Sequence, residues 1–210
     1  MEPGGLPQAL VLLDYFGIAV FAVSGALLAA ERRQTLVTFF FFAVVTGVGG
    51  GTLRDLLIGA PVFWVQTNTY LLVCIGAALV TWLASKRFIA ERALLWSDAA
   101  GLAAYATYGA AKALGYGVAP VPAFAMGVLT ACAGGIIRDV LAGEPSILMR
   151  PELYVTAAAL SSGLFVGLAL LGLPLPVAGG IAAMAGFAVP GFGVARGWGP
   201  PNETRRQPPR

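Results

Sequence analysis

The chain has 210 residues, 58% hydrophobic and only 11% charged, with a formal net charge of +3 and a mean hydropathy of +0.82. Soluble domains carry about 25% charged residues because polar groups must cover their outside, so this composition excludes a water-facing globule and predicts a lipid-facing one. At about 20 apolar residues per spanning helix, about seven helices use up the chain and leave no room for a separate soluble domain.

In chain order, Met1-Glu2-Pro3-Gly4-Gly5 lacks the basic start of a cleaved signal peptide, so the first apolar stretch is expected to be retained as a helix. Apolar runs place helices at about 9–30, 35–59, 69–85, 94–114, 120–142, 151–173 and 176–195. The breaks are Glu31-Arg32-Arg33-Gln34, Pro61 to Asn68, Lys86 to Arg92, Gly115 to Ala119, Gly143 to Glu152 and Pro174 to Pro176. The fold class is therefore an all-α polytopic membrane protein with seven transmembrane helices. Residues 1–93 hold a first three-helix repeat, 94–175 a second and inverted one, 176–196 a seventh helix, and 197–210 a Pro-rich, basic tail expected to be disordered.

Several functions are disfavoured by what is missing. There is no histidine, which removes zincin-type metal sites, His general bases and His ligation of haem. Cys74 and Cys132 sit in apolar stretches without metal or disulfide spacing and read as small buried hydrophobes. The pI of about 9.1 is not matched by a basic stripe with interleaved aromatics, so nucleic acid is not an expected partner. Topology accounts for the charge instead. With seven crossings, Arg32, Arg33, Lys86, Arg87, Arg92, Arg150, Arg196, Arg205, Arg206 and Arg210 fall on one side, and the other has only Lys112 at a helix end. The positive-inside rule then puts the C-terminus in the cytoplasm and the N-terminus outside, in a multi-pass protein of the cell membrane.

The halves match without a gap at a shift of 84 residues. Asp14 maps on Asp98, Gly17 on Gly101, Gly25 on Gly109, Thr46 on Thr130, Gly50-Gly51 on Gly134-Gly135, Arg54-Asp55 on Arg138-Asp139, Gly59 on Gly143, Pro61 on Pro145 and Tyr70 on Tyr154. A shared G-G-x-x-R-D-x-L-x-G-x-P marks a duplication. Because each copy holds an odd number of helices, the second must insert upside down, giving an inverted-topology repeat.

Each glycine in a helix interior costs up to about 1 kcal/mol relative to Ala, so Gly49, Gly50 and Gly51 weaken the second helix by about 3 kcal/mol. A kink or short unwound stretch is expected there and at Gly134-Gly135, and matching breaks in inverted halves point to a transport path. The alternative is close helix packing through small residues, the preferred reading for Gly17, Gly25, Gly101 and Gly109. Neighbours on a helix face differently, so Arg54-Asp55 and Arg138-Asp139 are not expected to neutralise themselves. Two symmetric ion pairs are predicted, Asp14 with Arg54 and Asp98 with Arg138, which either line the path or lock the helices together.

Tyr105, Tyr108 and Lys112 share one face of the fourth helix, where the first has Phe21, Ser24 and Leu28. Lys112 either enters the path or snorkels to the interface. Ser24, Thr46, Tyr105, Tyr108 and Thr130 are the candidate lining groups. A broken helix offers carbonyls to cations and N–H groups to anions, so this chemistry permits a cation or a zwitterion. No catalytic constellation appears, and the last helix has no lysine for a retinal Schiff base, so neither an enzyme nor such a receptor is expected.

The doubled Gly-Gly-x-x-Arg-Asp pattern, in two three-helix repeats followed by a seventh helix, resembles the bacterial relatives of the trimeric intracellular cation (TRIC) channels, also catalogued as glycine transporters. The resemblance covers about residues 10–195. It implies a homotrimer with one hydrophilic pore per subunit, lined by the first, second, fourth and fifth spans and kinked at Gly49, Gly50, Gly51, Gly134 and Gly135. It further implies permeation by monovalent cations, chiefly potassium, no resident cofactor, and lipid bound between subunits. Ala133 departs from the triple glycine, which implies a shallower second kink.

Overall fold

The computed structural model describes residues 6–84, 91–144 and 153–195. The described residues form eight helices and no strand: α1 (Gln8–Glu31), α2 (Leu36–Leu57), α3 (Phe63–Gln66), α4 (Asn68–Ala84), α5 (Glu91–Gly115), α6 (Pro120–Ala142), α7 (Leu153–Leu170) and α8 (Leu175–Ala195). All but α3 coincide with the predicted apolar runs, and α3 is a single turn inside the expected Pro61 to Asn68 break. Among the described residues, α1, α2 and α6 are long and apolar enough to cross a membrane by length and composition. Shorter apolar helices occupy Asn68–Ala84, Tyr154–Leu170 and Leu175–Val189. Pro145, Lys86, Arg87, Arg150 and the tail 197–210, with Arg205, Arg206 and Arg210, lie outside the described residues, as do Arg196 and the Arg92 side chain.

Both helices that carry the Arg-Asp dipeptide end in the same way. Gly59 (φ 67°) and Gly143 (φ 69°) adopt the left-handed conformation that a helix C-terminus needs and that glycine reaches without a Cβ clash. Ala60 N–H then donates to the Asp55 carbonyl at 2.8 Å, and Glu144 N–H to the Asp139 carbonyl at 2.9 Å. This Schellman closure fixes where the two acidic side chains leave their helices. At the other end, Pro120 starts α6 where its missing N–H costs nothing.

Packing places α1, α2, α5 and α6 at the centre, with α4 against α1 and α2, α7 against α5 and α6, and α8 against α5 and α7. Glycines make the central crossings. A Cβ at Gly50 would collide with the Thr130 carbonyl oxygen, and one at Gly134 would lie 2.5 Å from that of Thr46. Likewise Gly17 faces the Tyr105 ring, Gly101 faces the Phe21 ring, and those two rings stack with centroids 5.3 Å apart. In both crossings the residue numbers rise on one helix as they fall on the other, so α1 runs antiparallel to α5 and α2 to α6.

The helical pattern continues unbroken through Gly49–Gly51 and Gly134–Gly135, which corrects the expectation of an unwound stretch. Close approach of the two backbones brings dispersion attraction and weak Cα–H···O bonds, which offset the low helix propensity of glycine. Polarity is reversed relative to a soluble protein. Asp14, Arg54, Asp55, Asp98, Arg138 and Asp139 are buried, while Val37, Leu12, Leu72, Val121 and Met184 are exposed. Cys74 and Cys132 are buried free thiols, as their apolar surroundings predicted.

Candidate functional site

Two charge clusters lie in the central four helices, one at each Arg-Asp dipeptide. In the second, Arg138 grips Asp98 with both terminal nitrogens, at 2.7 Å from Nη1 to Oδ1 and 3.1 Å from Nη2 to Oδ2. Its Nε donates to Asp139 Oδ1 at 2.8 Å. Ser24 on α1 completes the group, donating to Asp98 Oδ1 at 2.5 Å and accepting from Arg138 Nη1. The predicted Asp98–Arg138 pair is therefore formed, as a bidentate charge-assisted contact.

The first cluster differs. Arg54 Nε donates to its own neighbour, Asp55 Oδ1, at 2.9 Å. Its Nη2 stands 2.8 Å from the same oxygen, but outside hydrogen-bonding geometry. Lys112 Nζ donates to Asp55 Oδ2 at 2.9 Å, and Phe63 N–H donates to that oxygen at 3.0 Å. Asp55 is the hub. The Arg54 guanidinium lies 5.2 Å from the Tyr108 ring centroid and 5.8 Å from that of Phe63, and Lys112 Nζ lies 5.6 Å from Phe63.

The predicted Asp14–Arg54 pair is not formed, since Asp14 takes part in no ion pair among the described residues. Arg54 instead holds Asp55, as Arg138 holds Asp139, and shares that carboxylate with Lys112, whose equivalent in the other copy is Leu28. Both dipeptides also overturn the expectation that they cannot neutralise themselves. An arginine stem is long enough to curl around the helix and place Nε beside the next residue's carboxylate. Lys112 does not snorkel; it is buried against Asp55 and Phe63.

The other candidate lining groups are inside the bundle and face protein. Ser24, Thr46, Tyr105, Tyr108 and Thr130 are all buried. Tyr105 donates to the Gly47 carbonyl at 2.7 Å and Thr130 to the Met126 carbonyl at 2.5 Å. Sequence reading missed Phe63, whose N–H caps Asp55, and Tyr70, which stands beside Asp14. Phe63 packs edge-on against Tyr70 with centroids 4.7 Å apart. The repeat-matched tyrosine at position 70 was the available signal for this wall; Phe63 had none.

A helical chain that buries its charges and exposes its apolar side chains is an integral membrane protein. Comparison with known proteins narrows this. A family model described as "Glycine transporter" matches twice, over residues 11–86 and 95–170, displaced by the same 84 residues as the internal repeat. A UPF0126 membrane protein of Vibrio cholerae is 44% identical over 162 residues, which are 74% of this chain and 66% of that one. The inner membrane protein YadS of Escherichia coli is 43% identical over 69% of this chain and 72% of its own length. Among solved structures, the TRIC trimeric intracellular cation channel orthologue from Rhodobacter sphaeroides superposes with a TM-score of 0.88 at 44% identity, covering 91% of this chain and all of that one. A prokaryotic TRIC channel crystallised in 0.5 M KCl superposes with a TM-score of 0.85 at 27% identity, over 92% of this chain and 99% of its own. The chain belongs to this glycine transporter family, the bacterial TRIC type, and is a multi-pass membrane protein.

Proposed function

We propose that the chain is the subunit of a homotrimeric, potassium-permeable cation channel in the cell membrane, with one hydrophilic path per subunit through α1, α2, α5 and α6. The observation that carries this reading is the likeness, over 91% of the chain, to a protein described as a cation channel. Seven helices cross the membrane, α1, α2 and α4 as one repeat, α5, α6 and α7 as its inverted copy, and α8 outside both. The antiparallel crossings, reciprocal at a shift of 84, support that arrangement. The C-terminus lies in the cytoplasm and the N-terminus outside. The ion pair between Arg32 and Glu144 supports placing the α1–α2 link and the end of α6 on one and the same side.

The buried lining groups make this conformation the closed one. Ser24, Thr46, Tyr105, Tyr108 and Thr130 become lining groups when α2 and α6 bend at Gly49–Gly51 and Gly134–Gly135. There the missing side chains let the helices slide without breaking backbone hydrogen bonds. Arg54, Asp55, Lys112 and Asp14 gate one end, and Arg138, Asp139 and Asp98 the other. Potassium is cargo, lipid fills the subunit interfaces, and no resident cofactor is required.

A second reading is a carrier for glycine or a similar small zwitterion, favoured by the description of the matching family model. Purified protein in a planar bilayer separates the two. Unitary potassium currents establish the channel, whereas silent bilayers with saturable glycine uptake into proteoliposomes overturn it in favour of the carrier.

A further inference from the structure

Past the end of α2 the chain folds back on it. Gly59 makes the turn in its left-handed conformation, and α3 then returns along the last turns of α2, where three contacts hold it. The Phe63 N–H donates to Asp55 Oδ2 at 3.0 Å, and the Trp64 Nε1–H donates to Thr52 Oγ1 at 2.9 Å. The Phe63 ring lies against Gly51, where an added Cβ would stand 2.6 Å from its Cε1. Thr52 carries the tie further, since its hydroxyl donates to the Val48 carbonyl at 2.8 Å, across the glycine run. A back-bond of this kind weakens a helix at that turn and favours bending there.

The fold-back sets an apolar ring among charges. Phe63 is 7% exposed and Val65, two residues on, is 63% exposed, so α3 turns one ring inward and leaves its other side outside. The ring centroid lies 5.6 Å from Lys112 Nζ on α5 and 5.8 Å from the Arg54 guanidinium, and the ring meets Tyr70 on α4 edge-on at 4.7 Å. It therefore bridges the end of α2 to both α4 and α5. An apolar constriction stops ions by excluding water and needs no ion pair to do so. The second copy is not built this way. At a shift of 84, Phe63, Trp64 and Thr52 become Ile147, Leu148 and Ile136, so that copy has neither the ring nor the indole and hydroxyl of the tie.

We infer that α3 is a strap that plugs the path at the first cluster: the Phe63 ring, seated on Gly51, closes that end and leaves Lys112 and Tyr70 when α2 bends. All three ties reach residues 51, 52 and 55, at the end of the glycine run and beyond it. The strap therefore travels with the end of α2, and hinge and plug move as one body. Neighbouring glycines then have separate tasks, Gly50 in the backbone crossing and Gly51 as the socket for the ring. This deepens the reading of a path through α1, α2, α5 and α6 and rests on it, adding an apolar gate that the second copy lacks.

The test uses the full chain with Cys74→Ala, Cys132→Ala and Thr46→Cys, a small reporter at the central crossing, in lipid nanodiscs whose two faces both meet water. The rate at which a small cationic methanethiosulfonate labels position 46 is measured, and potassium flux is measured with the same proteins in proteoliposomes. Phe63→Ala is expected to speed labelling by about tenfold or more and to raise flux. Trp64→Phe keeps an aromatic ring and loses one hydrogen bond, and should speed labelling by about fivefold. Gly51→Ala, which pushes the ring off its seat, should act in the same direction. Arg32→Ala, beside the end of α6, should leave both readouts unchanged. If Phe63→Ala fails to fold, judged by gel filtration, the Trp64→Phe result stands in its place. Labelling unchanged in a folded Phe63→Ala protein overturns the inference, and so does an equal rise in Arg32→Ala, which marks a general loosening. Potassium flux that none of the strap variants alters removes the plug and leaves the channel; faster labelling without flux in any variant keeps the plug and removes only the channel.

Discussion

Arg54 and Arg138 occupy equivalent positions of one duplicated motif, yet they hold their charge in different ways. Arg138 is locked between two carboxylates and a serine, whereas Arg54 shares one carboxylate with a lysine and leaves its terminal nitrogens without hydrogen bonds. Two substitutions between the copies produce this. Where the first copy has Ser24 and Leu28, the second has Tyr108 and Lys112. Ser24 adds a hydroxyl to the Asp98–Arg138 pair, while Lys112 adds a second cation to Asp55. One cluster closes on itself through three acceptors, and the other leaves Asp14 outside its ion pairs.

The largest expected effect tests that contrast directly. Arg138→Ala leaves Asp98 and Asp139 without their arginine in a buried site and should destabilise the protein by about 3–5 kcal/mol. Arg54→Ala leaves Asp55 paired with Lys112 and should cost about 1–3 kcal/mol. Thermal unfolding of the purified variants checks the order, and equal losses would break the comparison. A double-mutant cycle sharpens it, with stronger coupling between Asp98 and Arg138, which are in contact, than between Asp14 and Arg54, which form no ion pair.

Next come the crossings. Gly50→Ala and Gly134→Ala each drive a methyl into a facing carbonyl and should cost about 1–3 kcal/mol. Gly49→Ala meets the tip of the Ile137 side chain at 3.2 Å and the Gly134 Cα at an ordinary 3.9 Å, and should be far milder by the same unfolding measurement. A uniform response along the glycine run would instead favour a purely conformational role. Ser24→Ala removes one hydroxyl from the locked cluster, for about 1 kcal/mol. The smallest change belongs to Arg32→Ala, since its pair with Glu144 is solvent-exposed and worth less than about 1 kcal/mol; that loss should vanish at high salt.

The long helices were legible because apolar runs and Pro/Gly breaks are local signals; α3, a single turn, left none. The Asp98–Arg138 pair was legible because equivalence at a shift of 84 named both partners. The same reasoning failed for Asp14–Arg54, because it assumed that equivalent residues have equivalent surroundings. Lys112 was noticed, but pairing it with Asp55 requires knowing that α5 runs antiparallel to α1 and brings position 112 beside position 55. The glycine run was misread for a related reason. Propensity is a property of one helix, whereas the space that Gly50 needs is set by Thr130 on another.

The reciprocal crossings have a consequence for how such a chain arose. Gly50 meets the Thr130 carbonyl and Gly134 meets the Thr46 carbonyl, so each glycine's partner is the copy of the other's neighbour. A protein half this length, meeting a second molecule of itself in the opposite orientation, would form both crossings from a single sequence. Separate expression of residues 1–93 therefore asks whether an antiparallel homodimer, with two identical crossings, is still encoded in the first half.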